Sequence, residues 1–269
     1  MTALEVRRKE PSRVEIVFGE PSGPPPEFDE ALLGALDREI RRISEIEGLE
    51  RIIFRSAHPE GFPSLSRRAA LPFETVDEAV EWSRRGQGVL ARLHRLPLLS
   101  VALIQGPCIG LGFELALACR VRVAEEKEGV RLGPEGVSGP MPAWGGTVLL
   151  ARRVGPALAF ELLRAGVAVP PAVAREWGLV DSLCQPERAY AAAVTARPRP
   201  LRWPFTERLL NAVPGGRNLI FRTMEARAAA EGPVAKALAA QIRRAVCWPE
   251  EEALEEESRA FVRLLSGLN

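Results

Sequence analysis

The segment Cys108–Arg120, CIGLGFELALACR, constrains the fold more than any other part of the chain. It follows LLSVALIQG, an apolar run that reads as a buried strand. A short turn with two glycines, Gly110 and Gly112, then leads straight into an apolar helix. Strand, glycine turn and helix in immediate succession form an α/β unit. Inside the apolar helix stands one carboxylate, Glu114.

The flanking sequence extends the same alternation. RVEIVF alternates as a strand over residues 13–18, and LERIIFRSA reads as another. Between them Phe28, Leu32, Leu36, Ile40 and Ile43 fall on one helical face, with Gly48 as a stop. Thr75 and Glu78 have the spacing of a capping box, which opens a helix running toward Leu96. RVRVAEE after Arg120 can form a further strand. RLGPEGVSGPMPAWGGT contains Pro134, Pro140 and Pro142, which disfavour regular structure. LLARRVGPALAFELLRAG and PPAVAREWGLVDSL predict two helices and a strand. ARPRPLRWP, residues 196–204, is the best boundary, and the sequence beyond it reads as helical. The expected organisation is an α/β core over 1–195 and a helical region over 196–269. The acidic run EEEALEEESR is expected to be the solvated face of the last helix, with Leu254, Phe261, Leu264 and Leu265 inward.

Composition narrows the function classes. A net charge of +1 with 26% charged residues points to neither nucleic acid nor a membrane surface. Four scattered cysteines make neither a disulfide framework nor a zinc site, and two histidines leave little for a metal centre. The charged N-terminus and the absence of a long apolar segment make a cytoplasmic location the expectation.

Three readings of GLGFE follow from its residues. Gly110 and Gly112 give the start of a dinucleotide fingerprint, but Leu115 stands where its third glycine belongs. A glutamate in the first turn of a helix is also favoured by the exposed N–H groups and the helix dipole. Finally, a helix N-terminus after a glycine turn presents N–H groups that can hold an oxyanion. A carboxylate among apolar neighbours there suits acid–base work. Glu135, in GPEGV, is a candidate partner, or else an exposed loop glutamate.

Several ordered motifs decide between these readings. SVALIQGPCIGLGFELALACRVRVA, LGPEGVSGPMPAWGGTVLLARRVG, AFELLRAG and AREWGLVDSL resemble, in sequence order, the markers of the crotonase, or enoyl-CoA hydratase/isomerase, superfamily. GGRNLIFRTMEARAAA and EEALEEESRAFVRLL resemble the end of the hydratase part of the multifunctional α-subunits of fatty-acid β-oxidation. Those subunits continue into a dehydrogenase. This sequence has no second glycine-rich fingerprint, so no NAD-binding domain is expected.

The resemblance implies a spiral of ββα units followed by helices used in homotrimer or hexamer assembly. It implies an acyl-CoA thioester as substrate, with no metal and no cofactor beyond the coenzyme A of that substrate. By motif match Glu114 and Glu135 fall on the two glutamates that position and activate water in hydratases, and EEKEGV holds a one-residue insertion between them. The two backbone N–H donors of the oxyanion site match Leu111 and, in FPSLSRR, Ser66. Both places depart from the family, because Leu111 and Leu65 stand where glycine is usual. Leucine is costly at positive φ and blocks close approach. Weak or absent turnover of short enoyl-CoA substrates is therefore expected. Gly110 and Gly112 belong to the substrate-binding turn, and Arg67 and Arg68 suit the CoA phosphates. Trp144 replaces a small residue, to narrow the acyl pocket or simply to pack. His58 and His94 read as a loop histidine and a helix-end cation. Hydration of a 2-enoyl-CoA is the expected reaction. The alternatives are isomerisation, hydrolysis, or a catalytically impaired binding or assembly subunit.

Overall fold

A computed structural model describes residues 4–64, 75–134, 142–200 and 203–266. Ser66, Arg67, Arg68 and Glu135 lie outside these described residues, as does Leu65. The chain forms two compact units. One comprises Met1–Pro72, Gly88–Gly133 and Ala168–Arg199. The other comprises Phe73–Gln87, Pro134–Val167 and Pro200–Asn269.

All described strands belong to the first unit. They are β1 (Leu4–Glu10), β2 (Arg13–Phe18), β3 (Arg51–Ser56), β4 (Leu99–Ile104), β5 (Cys108–Ile109), β6 (Val121–Glu125), β7 (Leu132–Gly133) and β8 (Ser182–Cys184). Six form one sheet in the order β1-β2-β3-β4-β6-β8, and β5 and β7 pair separately. Only the β1–β2 pair is antiparallel. The parallel strands are near-continuous apolar runs, as burial on both faces requires. Ile53, Val101, Leu103, Val121 and Val123 share a face, spaced by two along β4 and β6. They pack on Ala189 and Ala193 of a helix, α7 (Ala189–Thr195).

Strand β1 is absent from the sequence-based expectation. It is an edge strand, and Leu4 is its only buried residue, so LEVRRKE carries too little alternation to read as a strand. The helix α1 (Glu30–Ser44) starts at Asp29, whose carboxylate accepts the Leu32 N–H at 2.7 Å. It ends before Gly48, at Glu45. The expected capping residue opens α2 (Val76–Arg95): Thr75 Oγ1 accepts the Glu78 N–H at 3.2 Å. The key helix, α3, spans Leu111–Ala118.

The described helices of the second unit include α4 (Gly146–Val154), α5 (Pro156–Ala165), α8 (Phe205–Ala212), α9 (Gly216–Glu231), α10 (Pro233–Cys247) and α11 (Glu250–Ser266). The remaining helix, α6 (Pro171–Glu176), belongs to the first unit. LLARRVGPALAFELLRAG forms two helices, divided where Gly155 at φ 90° and Pro156 interrupt it. The acidic run of α11 is exposed at Glu251, Glu252, Glu255 and Arg259 and Phe261 faces inward, as expected, but Glu257 and Ser258 are fully buried. No described helix is long and apolar enough to cross a membrane.

Candidate active site

Parallel pairing puts the carboxyl ends of β3 and β4 at the same end of the sheet, the usual place for sites in α/β sheets. The loops that leave these ends touch. The Phe62 N–H donates to the Pro107 carbonyl at 2.9 Å. A Cβ on Gly61 would lie 1.9 Å from that same oxygen, so only glycine permits the crossing.

The second loop continues through β5 into Gly110, at φ 59° and ψ −126°. The left-handed bend therefore falls on glycine, and no described non-glycine residue has positive φ. Leu111 is the first helical residue of α3, so the backbone strain expected there does not arise. Its side chain is buried. Gly112 lies directly beneath the first loop: a Cβ would meet the Pro63 carbonyl at 2.6 Å and Phe62 Cβ at 2.9 Å. The chain leading toward Ser66 thus starts against the first turn of α3.

A third segment reaches the same turn. Strand β7 pairs with β5, and the Gly110 N–H donates to the Gly133 carbonyl at 3.2 Å. Gly133 stands two positions before Glu135. Three segments therefore meet at Gly110–Gly112: α3 itself, the approach to Ser66, and the approach to Glu135.

Glu114 lies in the first turn of α3 and is 4% exposed. A carboxylate there meets the positive end of the helix dipole. Among the described residues, no side chain accepts from the N–H groups of Leu111 or Gly112. Such N–H groups can stabilise developing negative charge on a carbonyl oxygen. Cys108 Sγ contacts the Gly112 carbonyl at 3.4 Å, and burial drives this thiol far above its ordinary pKa. It is a packing residue rather than a nucleophile.

The two histidines have structural partners. His58 Nδ1 accepts the Glu60 N–H at 3.1 Å and Nε2 faces the Gly23 carbonyl at 3.1 Å, which assigns the proton to Nε2. His94 Nδ1 faces the Ala118 carbonyl at 3.2 Å, at the last residue of α3. No group of three potential metal ligands occurs among the described residues.

Trp144 belongs to the second unit and is 1% exposed. Its ring lies 5.0 Å from that of Trp82 and fills the space left by Gly86, where a Cβ would fall 2.2 Å from the indole. The segment that follows is held by Glu257, which the sequence reading left on the solvated face. Its carboxylate accepts the Gly145 N–H at 2.6 Å and the Val148 N–H at 3.2 Å. Ser83 donates to the Ala143 carbonyl at 2.6 Å, its Oγ lies 2.9 Å from Ser258 Oγ, and Ser258 Oγ lies 2.9 Å from Gln87 Oε1. The signal for Glu257 was its position: one helical turn before Phe261, it shares the inward face.

Residues 73–199 match the Enoyl-CoA hydratase/isomerase family. The chain is 37% identical over 196 residues to the fatty acid oxidation complex subunit alpha of Shewanella amazonensis, a match covering 70% of this chain and 27% of that subunit. It thus spans about a quarter of that relative's length. An enoyl-CoA hydratase from Mycobacterium avium subsp. paratuberculosis superposes with a TM-score of 0.67 at 18% identity, covering 98% of this chain and 94% of the other. An enoyl-CoA hydratase/isomerase from Xanthobacter autotrophicus gives 0.67 at 20% identity, covering 97% and 87%. These likenesses establish the α/β fold as the spiral that the sequence motifs imply. Together the comparisons support the crotonase, or enoyl-CoA hydratase/isomerase, superfamily for this chain.

Proposed function

We propose that the protein hydrates 2-enoyl-CoA thioesters. The observation that carries this reading is the meeting of three segments at Gly110–Gly112, with the buried Glu114 in the helix that starts there. In the reaction, Glu114 and Glu135 hold a water molecule. The water oxygen bonds to C3 of the enoyl group while a proton passes to Glu135. The C2–C3 π pair moves toward the thioester, and the charge reaching its oxygen is held by the N–H groups of Leu111 and Ser66. The proton then returns from Glu135 to C2, so that water is added across the double bond. Arg67 and Arg68 serve the CoA phosphates.

Assembly as a homotrimer or hexamer is part of the same reading. It is supported by Phe205 and Leu209, spaced by four along α8 and 74% and 57% exposed. Light scattering tests it, and a monomer at working concentration rules it out.

Steady-state hydration of crotonyl-CoA, followed by loss of enoyl-thioester absorbance, tests the activity. The helical φ of Leu111 removes one of the two objections to turnover, so measurable hydration is expected. Glu135→Gln is expected to lower turnover by about 10²–10⁴-fold with acyl-CoA binding retained. Glu114→Gln should lower it too, without unfolding the chain. Parental turnover in both variants removes the two-carboxylate mechanism.

A further inference from the structure

Helix α3 raises a mechanical question. Each of its eight residues, Leu111 through Ala118, is buried. A helix apolar on nearly all sides has no preferred face, so burial alone fixes neither its rotation nor its axial position. Directional contacts must do so, and at the C-terminal end they come mainly from Arg122.

The Arg122 guanidinium is 1% exposed. Its Nη1 donates to the carbonyls of Ala116 at 3.1 Å, Leu117 at 3.4 Å and Cys119, and its Nη2 to Arg120 at 3.3 Å. The carbonyls at a helix's end lack intrahelical partners, and a cation there also meets the negative end of the dipole. Asp181 neutralises the guanidinium, with Oδ2 2.8 Å from Nη2 and 2.9 Å from the Arg122 N–H. Asp181 Oδ1 in turn accepts the Arg199 N–H at 3.2 Å.

We propose that Arg122 is a positioning residue for Glu114, setting the rotation and axial position of α3 through its C-terminal carbonyls. Ala116 is two residues from Glu114, so a shift at the pinned carbonyl moves the carboxylate with it. The same shift carries the Leu111 N–H. The proposal rests on the hydratase reading, in which both groups face the reacting thioester.

The test compares Arg122→Lys, which keeps the charge but loses the fork, with the double variant Arg122→Met/Asp181→Asn, which removes the buried pair together. Arg51→Lys is the control, since Arg51 holds carbonyls of Ala193 and Ala196 instead. Crotonyl-CoA kinetics are normalised to folded protein, and amide hydrogen exchange is followed across residues 113–118. Arg122→Lys is expected to lower kcat by about 10–100-fold with KM within about twofold, as a displaced reacting group does. The double variant is expected to do the same, and both should exchange faster across 113–118. The control should match the parent. Parental kcat in Arg122→Lys overturns the proposal, even if its stability falls. If the parent hydrates nothing, the hydratase reading fails. Exchange then decides the mechanical claim, and unaccelerated exchange across 113–118 in Arg122→Lys overturns it.

Discussion

Helices α3 and α4 start alike and are finished differently. They have eight and nine residues, and each begins at a glycine, Gly110 or Gly145, that has positive φ and no side chain to cap the first N–H groups. In α4 the gap is closed by Glu257, a fully buried carboxylate more than a hundred positions later in the chain. In α3 no described side chain accepts from Leu111 or Gly112, and the compensating charge sits at the far end, on Arg122. A helix N-terminus filled by the protein's own carboxylate is a structural joint. One whose N–H groups are left to other acceptors is suited to polarising a substrate oxygen.

The largest expected effect tests the joint. Glu257→Ala leaves the buried N–H groups of Gly145 and Val148 without their acceptors, at a cost of about 1–3 kcal/mol for each. Thermal unfolding should shift down by several degrees, and by less in Glu257→Gln, which keeps one acceptor oxygen. Turnover per folded molecule should stay within about twofold. Parental stability combined with lost turnover would reverse the assigned roles of the two helices.

Two glycines sharpen the contrast. Gly86→Ala places a methyl group 2.2 Å from the Trp144 indole, and Gly112→Ala places one 2.6 Å from the Pro63 carbonyl. Overpacking of this kind costs about 1–3 kcal/mol. The Gly86 variant should lose stability and keep its turnover. The Gly112 variant should also lose turnover, because its methyl group displaces the loop against the first turn of α3. Paired melting curves and crotonyl-CoA assays separate the two outcomes, and equal turnover in both variants would remove the distinction.

A third joint repeats the pattern of α4 with an acid–base signature. Glu207 of α8 caps α5: it accepts the Ala157 N–H at 3.3 Å and stands over Gly155, where a Cβ would meet Oε2 at 2.6 Å. Burial pushes its carboxyl above the ordinary range, against the opposing effect of the Ala157 and Leu158 N–H groups. A raised folded-state pKa means that the folded state binds the proton more tightly. The associated stability is present below the unfolded pKa and is lost as pH rises through the folded one. Urea midpoints of the parent should therefore fall across that interval relative to Glu207→Gln. A difference between parent and variant that does not change with pH would show that Glu207 titrates normally.

The sequence made one of these helix ends legible and hid the others. Gly110, Gly112 and Glu114 are contiguous, so the turn, the helix and the buried carboxylate all lie within a single window. Strand β4 was readable as a continuous apolar run, and β2 by its alternation. Glu257 and Glu207 act on turns far away in sequence, and each is set among polar residues that read as solvated. Only the inward spacing relative to Phe261 marked Glu257. Arg122 was hidden for a different reason: inside RVRVAEE it reads as an outward strand position, and its partner Asp181 follows much later. Strand β1 was missed because an edge strand needs only one buried residue.

The smallest expected effect concerns the thiols, and it checks whether chemistry belongs to the α3 side alone. Cys108 and Cys119 are buried, and burial pushes the Cys119 thiol up to about 12 and Cys108 higher still. Cys184 is pushed up to about 11, first by burial and then by the charges of Glu125 and Glu126. The thiolate is the reactive form, so these three should resist iodoacetamide in the native protein. Cys247, at the end of α10, is exposed and should react. Mass spectrometry should find one modified cysteine before denaturation and four after it. Turnover should be unchanged by labelling, because Cys247 touches neither the glycine turn nor the joints at Glu257 and Glu207. Loss of turnover in step with Cys247 alkylation would give the helical region a part in the reaction and end the division of roles between α3 and α4.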